Sequence, residues 1–289
     1  MEKIKIIKCE NNNGLSAVFT YDHDITEFFL VSLDGVYEIK NAVHTSQNAT
    51  TDGSSYEGEA LEERNIVITA NMCRNYAENR DYLSRVFKTG SEGTFYHTED
   101  GRTRKISYRV EKIDIEEKGV LRQIVISLIC PDPYFKDDEA THIEMAGWEG
   151  LFEFPCEIPE EGMEFGRRLK ETIKIVDNNS TTSIGIQMTI IAEDVVANPS
   201  VMNVTTGEVL KLLCTMLPGD EIIITTRQGE IDVVLHRGEK EIDYNYTVDE
   251  ENEGYIQLET GRNHINYTAD SGGDHMSVHF DFENCYVMP

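Results

Sequence analysis

The sequence predicts a mainly β protein, in which an N-terminal β-rich domain with one helix is followed by a C-terminal β-sandwich. Apolar and polar residues alternate with period two over much of the chain, and Gly, Asn and Asp turn signals separate the alternating runs. In the first half, convincing helical spacing is confined to residues 75–90. A proline-containing stretch near residue 131 then separates two halves of different character.

The domain boundary is predicted at Cys130-Pro131-Asp132-Pro133-Tyr134-Phe135. No proline precedes Pro131. Each proline fixes φ and removes a backbone donor, so Pro131 and Pro133 should end a strand and direct the chain out of the sheet. The predicted domains are therefore 1–135 and 151–289, with a linker over 136–150.

The first domain is predicted to consist of short strands joined by tight turns. Asn and Gly residues at 11–14 and the pair Asp34-Gly35 tolerate positive φ, and Asp100-Gly101 is a hairpin signal. The opening strands are interpreted as a β-meander. The expected strands cover residues 3–8, 15–19, 28–31, 36–39, 64–72, 94–97, 104–113 and 121–129.

The single helix of the first half is predicted after Asn75, whose side chain is expected to cap the N-terminus. Gly90 lies where a left-handed C-terminal cap is expected. Four residues form the apolar stripe that should face the core, namely Tyr82, Leu83, Val86 and Phe87.

Residues 41–58 are rich in Thr, Ser, Asn and Gly and show no periodicity, so they are interpreted as a long loop or arm. A loop of this length in a compact domain usually has a function, and in a protein without catalytic signals that function is contact with a neighbouring subunit. The candidate contact residues are Thr45, Asp52, Gly53 and Tyr56.

The second domain is predicted to contain about nine short strands without helices, which is typical of a β-sandwich. In the turn before a late strand, Gly261 supplies φ freedom and Asn263 can bond the neighbouring backbone. The expected strands cover residues 171–176, 184–192, 201–203, 209–215, 221–226, 231–235, 255–258, 264–267 and 276–282.

The charge balance excludes several classes of partner. The chain carries a net charge of −27, of which −19 lies in residues 140–289. An acidic surface repels phosphate backbones, so nucleic-acid binding is not expected. The apolar runs are far shorter than the ~20 residues that span a bilayer, and the N-terminus lacks signal-peptide features, so synthesis in a cytoplasm without membrane insertion is predicted.

No catalytic constellation is recognisable, so no enzyme activity, catalytic residue or cofactor is predicted. A carboxylate pair of the glycosidase kind depends on the fold and cannot be identified by spacing alone. The acidic run Asp249–Glu253 is interpreted as a solvated turn. The segments Asp270–Asp274 and Asp22–Asp24 offer hard oxygen ligands for calcium, but neither has the twelve-residue loop spacing, and no metal site is predicted.

An ordered series of motifs resembles the distal tail protein of long-tailed bacteriophages, especially those that infect Gram-positive bacteria. The resemblance covers the whole chain. Its motif positions are Asp34-Gly35, Arg64 opening a strand, Arg80 and Leu83 in the helix, Asp100-Gly101-x-x-Arg104, the Pro131-Asp132-Pro133-Tyr134-Phe135 ending, and Gly261 with Asn263. Relatives often carry prolines between residues 45 and 65, and this sequence has none there.

The resemblance implies a structural hub at the virion tail tip, made in the host bacterial cytoplasm. The first domain would be tail-tube-like and form a homo-hexameric ring between the tail tube protein and the tail-associated hub or fibre (receptor-binding) protein. The second domain would be a jelly-roll or galectin-like sandwich that serves as a docking point.

An alternative function is a glycan-binding adhesion module that contacts the host cell wall. Aromatic side chains can act as stacking platforms for sugars, although in strand-rich domains they are more often core or cross-strand pairs. The candidate platforms are Trp148, Tyr244, Tyr246, Tyr255 and Tyr267.

Overall fold

The computed structural model describes residues 5–22, 26–47, 52–72, 74–118, 121–145, 148–150, 166–168, 173–227 and 229–289. The chain divides into two compact units, Met1–Asp138 with Tyr286–Pro289, and Glu139–Cys285. The prediction of a mainly β fold is confirmed. Within the described ranges, no helix has the length and apolarity needed to cross a membrane.

The described residues of the first unit form ten strands and one helix, α1 (Tyr76–Val86). The strands are β1 (Ile6–Asn11), β2 (Ser16–Thr20), β3 (Phe28–Asp34), β4 (Asn41–Ser46), β5 (Ser55–Leu61), β6 (Arg64–Met72), β7 (Glu92–Glu99), β8 (Arg102–Lys118), β9 (Leu121–Cys130) and β10 (Phe135–Asp137).

The second unit is also built from short strands, with two 3-10 turns at Asn245–Thr247 and Gly273–His275. Its strands are β11 (Thr141–Glu144), β12 (Trp148–Gly150), β13 (Gly166–Arg168), β14 (Ile173–Asn178), β15 (Ile184–Gly185), β16 (Gln187–Ala192), β17 (Val196–Asn203), β18 (Glu208–Leu212), β19 (Thr215–Met216), β20 (Glu221–Arg227), β21 (Glu230–Arg237), β22 (Lys240–Asp243), β23 (Val248–Glu253), β24 (Gln257–Leu258), β25 (Gly261–Ser271) and β26 (Met276–Phe282). The last strand of the chain is β27 (Cys285–Tyr286).

The main sheet of the first unit closes on itself. Its order is β27-β10-β8-β7-β1-β2-β3-β6-β9, and β8 also pairs with β9. The long strand β8 makes closure possible, because residues 102–109 pair with β7 and residues 109–118 pair with β9. Every second residue of β6 is buried, as expected when one face of a strand lines a core.

Two predictions about the opening strands were wrong. The prediction of a β-meander was wrong, because a meander needs antiparallel neighbours and β2 and β3 are parallel, with Phe19 opposite Phe28. Residues 36–39 do not form a strand. The chain turns at Gly35, and the carbonyl groups of the next residues accept hydrogen bonds from a buried arginine side chain instead of a neighbouring strand.

The predicted helix is present, and Leu83 and Val86 are buried on its inner face. Both predicted caps were wrong. Asn75 makes no side-chain cap; it has φ 51°, and its amide donates to Glu27 over 3.2 Å. Gly90 has φ +80°, but the helix has already ended at Val86, and the Gly90 N–H donates to Val110 in another strand.

The hairpin prediction at Asp100-Gly101 is confirmed. Both residues have positive φ, 55° and 79°, which is the conformation a two-residue turn between twisted strands requires. The turn joins β7 to β8 with Glu99 directly opposite Arg102.

The second unit has two six-stranded sheets, in the orders β11-β26-β16-β20-β21-β22 and β14-β25-β17-β18-β23 with β19 beside β17. Buried side chains of both sheets form one apolar cluster, as in a β-sandwich.

The acidic run 249–253 is not a turn but most of β23. Its pairing begins with Val248 opposite Leu212, so sheet packing overrides the local preference of the acidic residues.

Candidate functional site

The arm is a two-stranded antiparallel hairpin, which corrects the prediction of a loop. Among the described residues, β4 and β5 pair only with each other, with Thr45 opposite Tyr56. Nearly all of their residues are exposed, including Val43 at 53% and Tyr56 at 62%. Asp52 and Gly53 precede β5, and Gly53 has φ +88°. A hairpin with no further strand beside it is only marginally stable in water.

Arg64 anchors the base of the arm. The side chain is 5% exposed, and its five described hydrogen bonds all go to main-chain carbonyl oxygens. Nη1 donates to residues 35, 36 and 38 over 2.9, 2.8 and 2.7 Å. Nε donates to Pro133 over 3.0 Å, and Nη2 donates to Val287 over 2.7 Å. One guanidinium therefore joins the segment that enters the arm, the proline boundary and the residues at 286–289.

Several motif residues of the resemblance meet at this arginine. Gly35 has φ +81°, and a Cβ there would lie 1.8 Å from the Asn65 carbonyl oxygen, so only glycine fits. The Phe135 ring lies 5.1 Å from the Arg64 guanidinium carbon, a cation–π distance. Gly35, Arg64, Pro133 and Phe135 thus form one cluster, although they are far apart in the sequence.

The other motif residues around this cluster have local roles. Asp34 ends β3 and accepts a hydrogen bond from Ser32 over 3.1 Å. Pro131 directly follows β9, and the Tyr134 N–H donates to the Asp132 side chain over 3.2 Å. The structure therefore places the proline turn against the base of the arm.

The buried Arg64 guanidinium is surrounded by main-chain carbonyl dipoles. Burial lowers the pKa of Arg64, and the neighbouring Cys130 and Glu38 act in the opposite direction. An arginine side chain nonetheless stays protonated in proteins. Burial raises the pKa of Cys130 to about 12, against the effect of Arg64, so this thiol is not a nucleophile at neutral pH.

The segment Tyr286–Pro289 packs into the first unit at a second arginine. The guanidinium carbon of Arg104 lies 3.4 Å from the centre of the Tyr286 ring, and Nη1 donates to the Met288 carbonyl over 2.6 Å. The Tyr286 hydroxyl donates to Asp137 over 3.1 Å. The role of this segment was not predicted, because nothing in its composition indicates that the chain comes back to the first unit after about 150 residues.

A polar network lies next to Glu38. The Tyr37 hydroxyl contacts Lys5 Nζ at 2.9 Å, Glu99 at 2.8 Å and His97 Nε2 at 3.3 Å. Burial lowers the pKa of His97 to about 4, so the imidazole is neutral at pH 7. Burial also raises the pKa of Tyr37 to about 12. The sequence offered no signal for this network, because its members come from three separate segments.

The remaining motif residues lie outside the cluster. Arg80 and Leu83 both belong to α1, where Arg80 is exposed and Leu83 is buried on the inner face. In the second unit Asn263 is fully buried; Nδ2 donates to the carbonyls of Glu259 and Gly261, and Oδ1 accepts from the Glu259 N–H. Gly261 has φ +95°. These contacts shape the turn before β25.

Two of the candidate glycan platforms lie side by side, and a third is buried. The Tyr246 ring is 78% exposed and lies edge-on to Tyr244 at 5.4 Å, whereas Tyr267 belongs to the core. Tyr255 is partly buried, and the side chain of Trp148 lies outside the description. Asn245, which lies between Tyr244 and Tyr246 in the sequence, donates its side-chain amide to Asp232 and Asp243 over 2.7 and 2.9 Å.

The calcium candidates have other partners or lie outside the described residues. Asp270 accepts hydrogen bonds from Asn198 over 2.8 Å and from Lys211 over 3.0 Å. His23 and Asp24 lie outside the described residues. In the part of the chain that the structure describes, no group of three or more His, Cys, Asp or Glu side chains is arranged to hold a metal ion.

The fold is similar to that of solved phage hub and baseplate proteins. No protein-family model and no curated protein matches the sequence. The Dit (gp 19.1) protein of phage SPP1, described as a paradigm of the hub adsorption apparatus in phages that infect Gram-positive bacteria, matches with a TM-score of 0.66 and 12% identity over 96% of this chain and 98% of that chain. Chains of the phage P2 baseplate in its activated conformation, with Ca and with Sr, match over 100% of both chains with TM-scores of 0.51 and 0.50 and 10% identity. Over nearly its whole length, the chain therefore has the fold of a Dit-type phage hub protein.

Proposed function

We propose that the protein is a structural hub of a phage tail tip. Six copies form a ring through the first domain, between the last ring of the tail tube and the tail-associated hub or fibre protein, and the sandwich domains serve as docking points. The observation that carries the proposal is the fold likeness to the SPP1 hub protein over almost the full length of both chains. The protein acts at the virion tail tip after synthesis in the host cytoplasm, and it has no enzymatic role.

The arm supports this proposal. Its strands pair with no other strand in the described part of the chain, expose apolar and aromatic side chains, and are held at their base by Arg64. A rigid base and an exposed hairpin suit a contact between subunits, and Thr45, Asp52, Gly53 and Tyr56 are its proposed contact residues.

The test is the mass of the full chain in solution, alone and mixed with tail tube rings. Native mass spectrometry should give a hexamer, and negative-stain electron microscopy should show sixfold rings that stack on tube ends. A chain that stays monomeric in both conditions would refute the hub proposal.

Glycan binding remains a second candidate because of Tyr246. An aromatic ring this exposed, flanked by amide and carboxylate groups, has the chemistry of a sugar-stacking position. The full chain should then bind host cell-wall polysaccharide, and Tyr246→Ala should abolish that binding without changing thermal stability. If wild type and variant bind polysaccharide equally, or not at all, this second function is excluded.

A further inference from the structure

One face of the arm combines a carboxylate with an exposed apolar side chain. The register places Val43 opposite Glu59, and Asn41 donates to Glu59 over 2.7 Å, so these three residues share one face. A register shift at Glu57 breaks the alternation, and Glu57 accepts a hydrogen bond from Ser46 on the other face. Residues 52–63 contain five acidic and no basic residues. We call the face formed by Val43 and Glu59 the acidic arm face.

A groove of about 310 Å³ beside α1 has the complementary character. It is lined by apolar and aromatic side chains, two guanidinium groups and one carboxylate, namely Met72, Tyr76, Ala77, Ile115, Arg80, Arg122 and Glu117. Arg122 contacts Glu117 at 3.1 Å and lies 5.5 Å from the Tyr76 ring. Arg80 contacts Asp81 at 3.5 Å, and both side chains of this pair are largely exposed, at 63% and 72%. Arg80 is therefore the cation of the groove that a second chain can reach most directly. We call this the α1 groove.

The arm and the α1 groove lie at opposite ends of one strand. Arg64, which anchors the arm, is the first residue of β6, and Met72, which lines the groove, is the last. Nine residues of strand span about 26 Å at ~3.3 Å per residue. When two complementary surfaces lie at different places on one subunit, each copy contacts the next head to tail. Such contacts generate a closed ring when the rotation from one copy to the next divides a full turn.

We propose that the acidic arm face docks into the α1 groove of a second copy of this chain. Glu59 meets Arg80, and Val43 packs against Ala77 and Ile115. The inference rests on the proposed hub function and adds which two surfaces meet in the ring. Opposite charges fix the register of the contact, and the docked hairpin gains the packing that it lacks alone.

Charge reversal tests the pairing. Arg80→Glu should raise the Kd of subunit association at least about 30-fold in sedimentation velocity, because like charges then face each other. Adding Glu59→Arg should restore most of the affinity. Arg85→Glu makes the same charge change on the same helix outside the groove, so it should associate like wild type. If Arg80→Glu associates as tightly as the Arg85 control, the pairing is wrong.

Cross-linking tests the contact independently of ring closure. Chains carrying Val43→Cys and Ala77→Cys, with tags of different mass, are mixed and treated with a short bifunctional maleimide; wild type with the same reagent controls for the native cysteines. A cross-linked pair of differently tagged chains should form only in the mixture. Its absence overturns the inference, and if wild type still forms hexamers, the hub proposal survives that result. If the differently tagged chains cross-link but the wild-type chain forms no hexamer, the contact is supported and the hexameric ring is contradicted.

Discussion

Replacement of Arg64 by methionine should loosen the base of the arm. The change keeps an apolar stem of similar length and removes all five donated hydrogen bonds. A hydrogen bond to a charged group contributes about 1.5–3 kcal/mol, but the freed carbonyls relax toward water and the contributions are not additive. We therefore expect a loss of about 3–5 kcal/mol, comparable to breaking a buried ion pair.

The measurement is hydrogen exchange by mass spectrometry together with urea unfolding. Exchange should accelerate in residues 35–46, 55–63 and 286–289, because one guanidinium connects these segments, and should change little in the second unit. Arg64→Lys should be intermediate, since an ammonium has three donors instead of five. Arg85→Met on the exposed face of α1 is the matched control. Wild-type exchange in these segments and a stability loss below about 1 kcal/mol would refute the role given to Arg64.

Three further predictions concern other positions. The pKa of folded His97 is about 4, below its unfolded value near 6.5, so the stabilisation from its neutral imidazole is complete above pH 6.5 and is lost as the pH falls to 4, by up to about 3 kcal/mol. His97→Gln should make the free energy of unfolding in urea less dependent on pH over that window, and an unchanged pH dependence would count against this role of His97. Gly35→Ala should cost about 2–4 kcal/mol in urea unfolding, because the added Cβ meets the Asn65 carbonyl; a wild-type midpoint would show that the turn can relax. Hydrogen bonds from Arg237 at 2.8 and 2.5 Å lower the pKa of Asp220, so Asp220 stabilises the sandwich fully above its unfolded pKa near 3.9, and this stabilisation is lost as the pH falls through the lower pKa of the folded carboxyl. Asp220→Asn should therefore cost about 3 kcal/mol in urea unfolding at pH 7 and progressively less as the pH falls below about 3.9; a cost that does not change with pH would count against the ion pair.

The features predictable from the sequence were those fixed by neighbouring residues. Asp100-Gly101 sets its turn through two positive φ angles, and alternation within β6 identifies its buried face without knowledge of its partners. The helix was recognisable from its apolar stripe. Its caps were not, because Asn75 is bound by Glu27 from a distant segment and the chain beyond Phe87 is fixed by other strands.

The features that escaped prediction depend on long-range contacts. Arg64 could be identified as a motif position, but its carbonyl partners lie 26 to 223 residues away. The arm has no alternating pattern because almost none of its residues is buried within its own chain, so its strands are invisible to periodicity. The acidic strand β23 pairs with β18, a long-range pairing that the acidic residues do not predict.

The central claim is that this fold assembles into a ring through its first domain. Native mass spectrometry of the full chain with tail tube rings tests it most directly. The account predicts a species of six copies of 32.9 kDa that binds tube ends, and loss of this species on Arg80→Glu with recovery on adding Glu59→Arg. A persistent 32.9 kDa species, with or without tube rings, would contradict it.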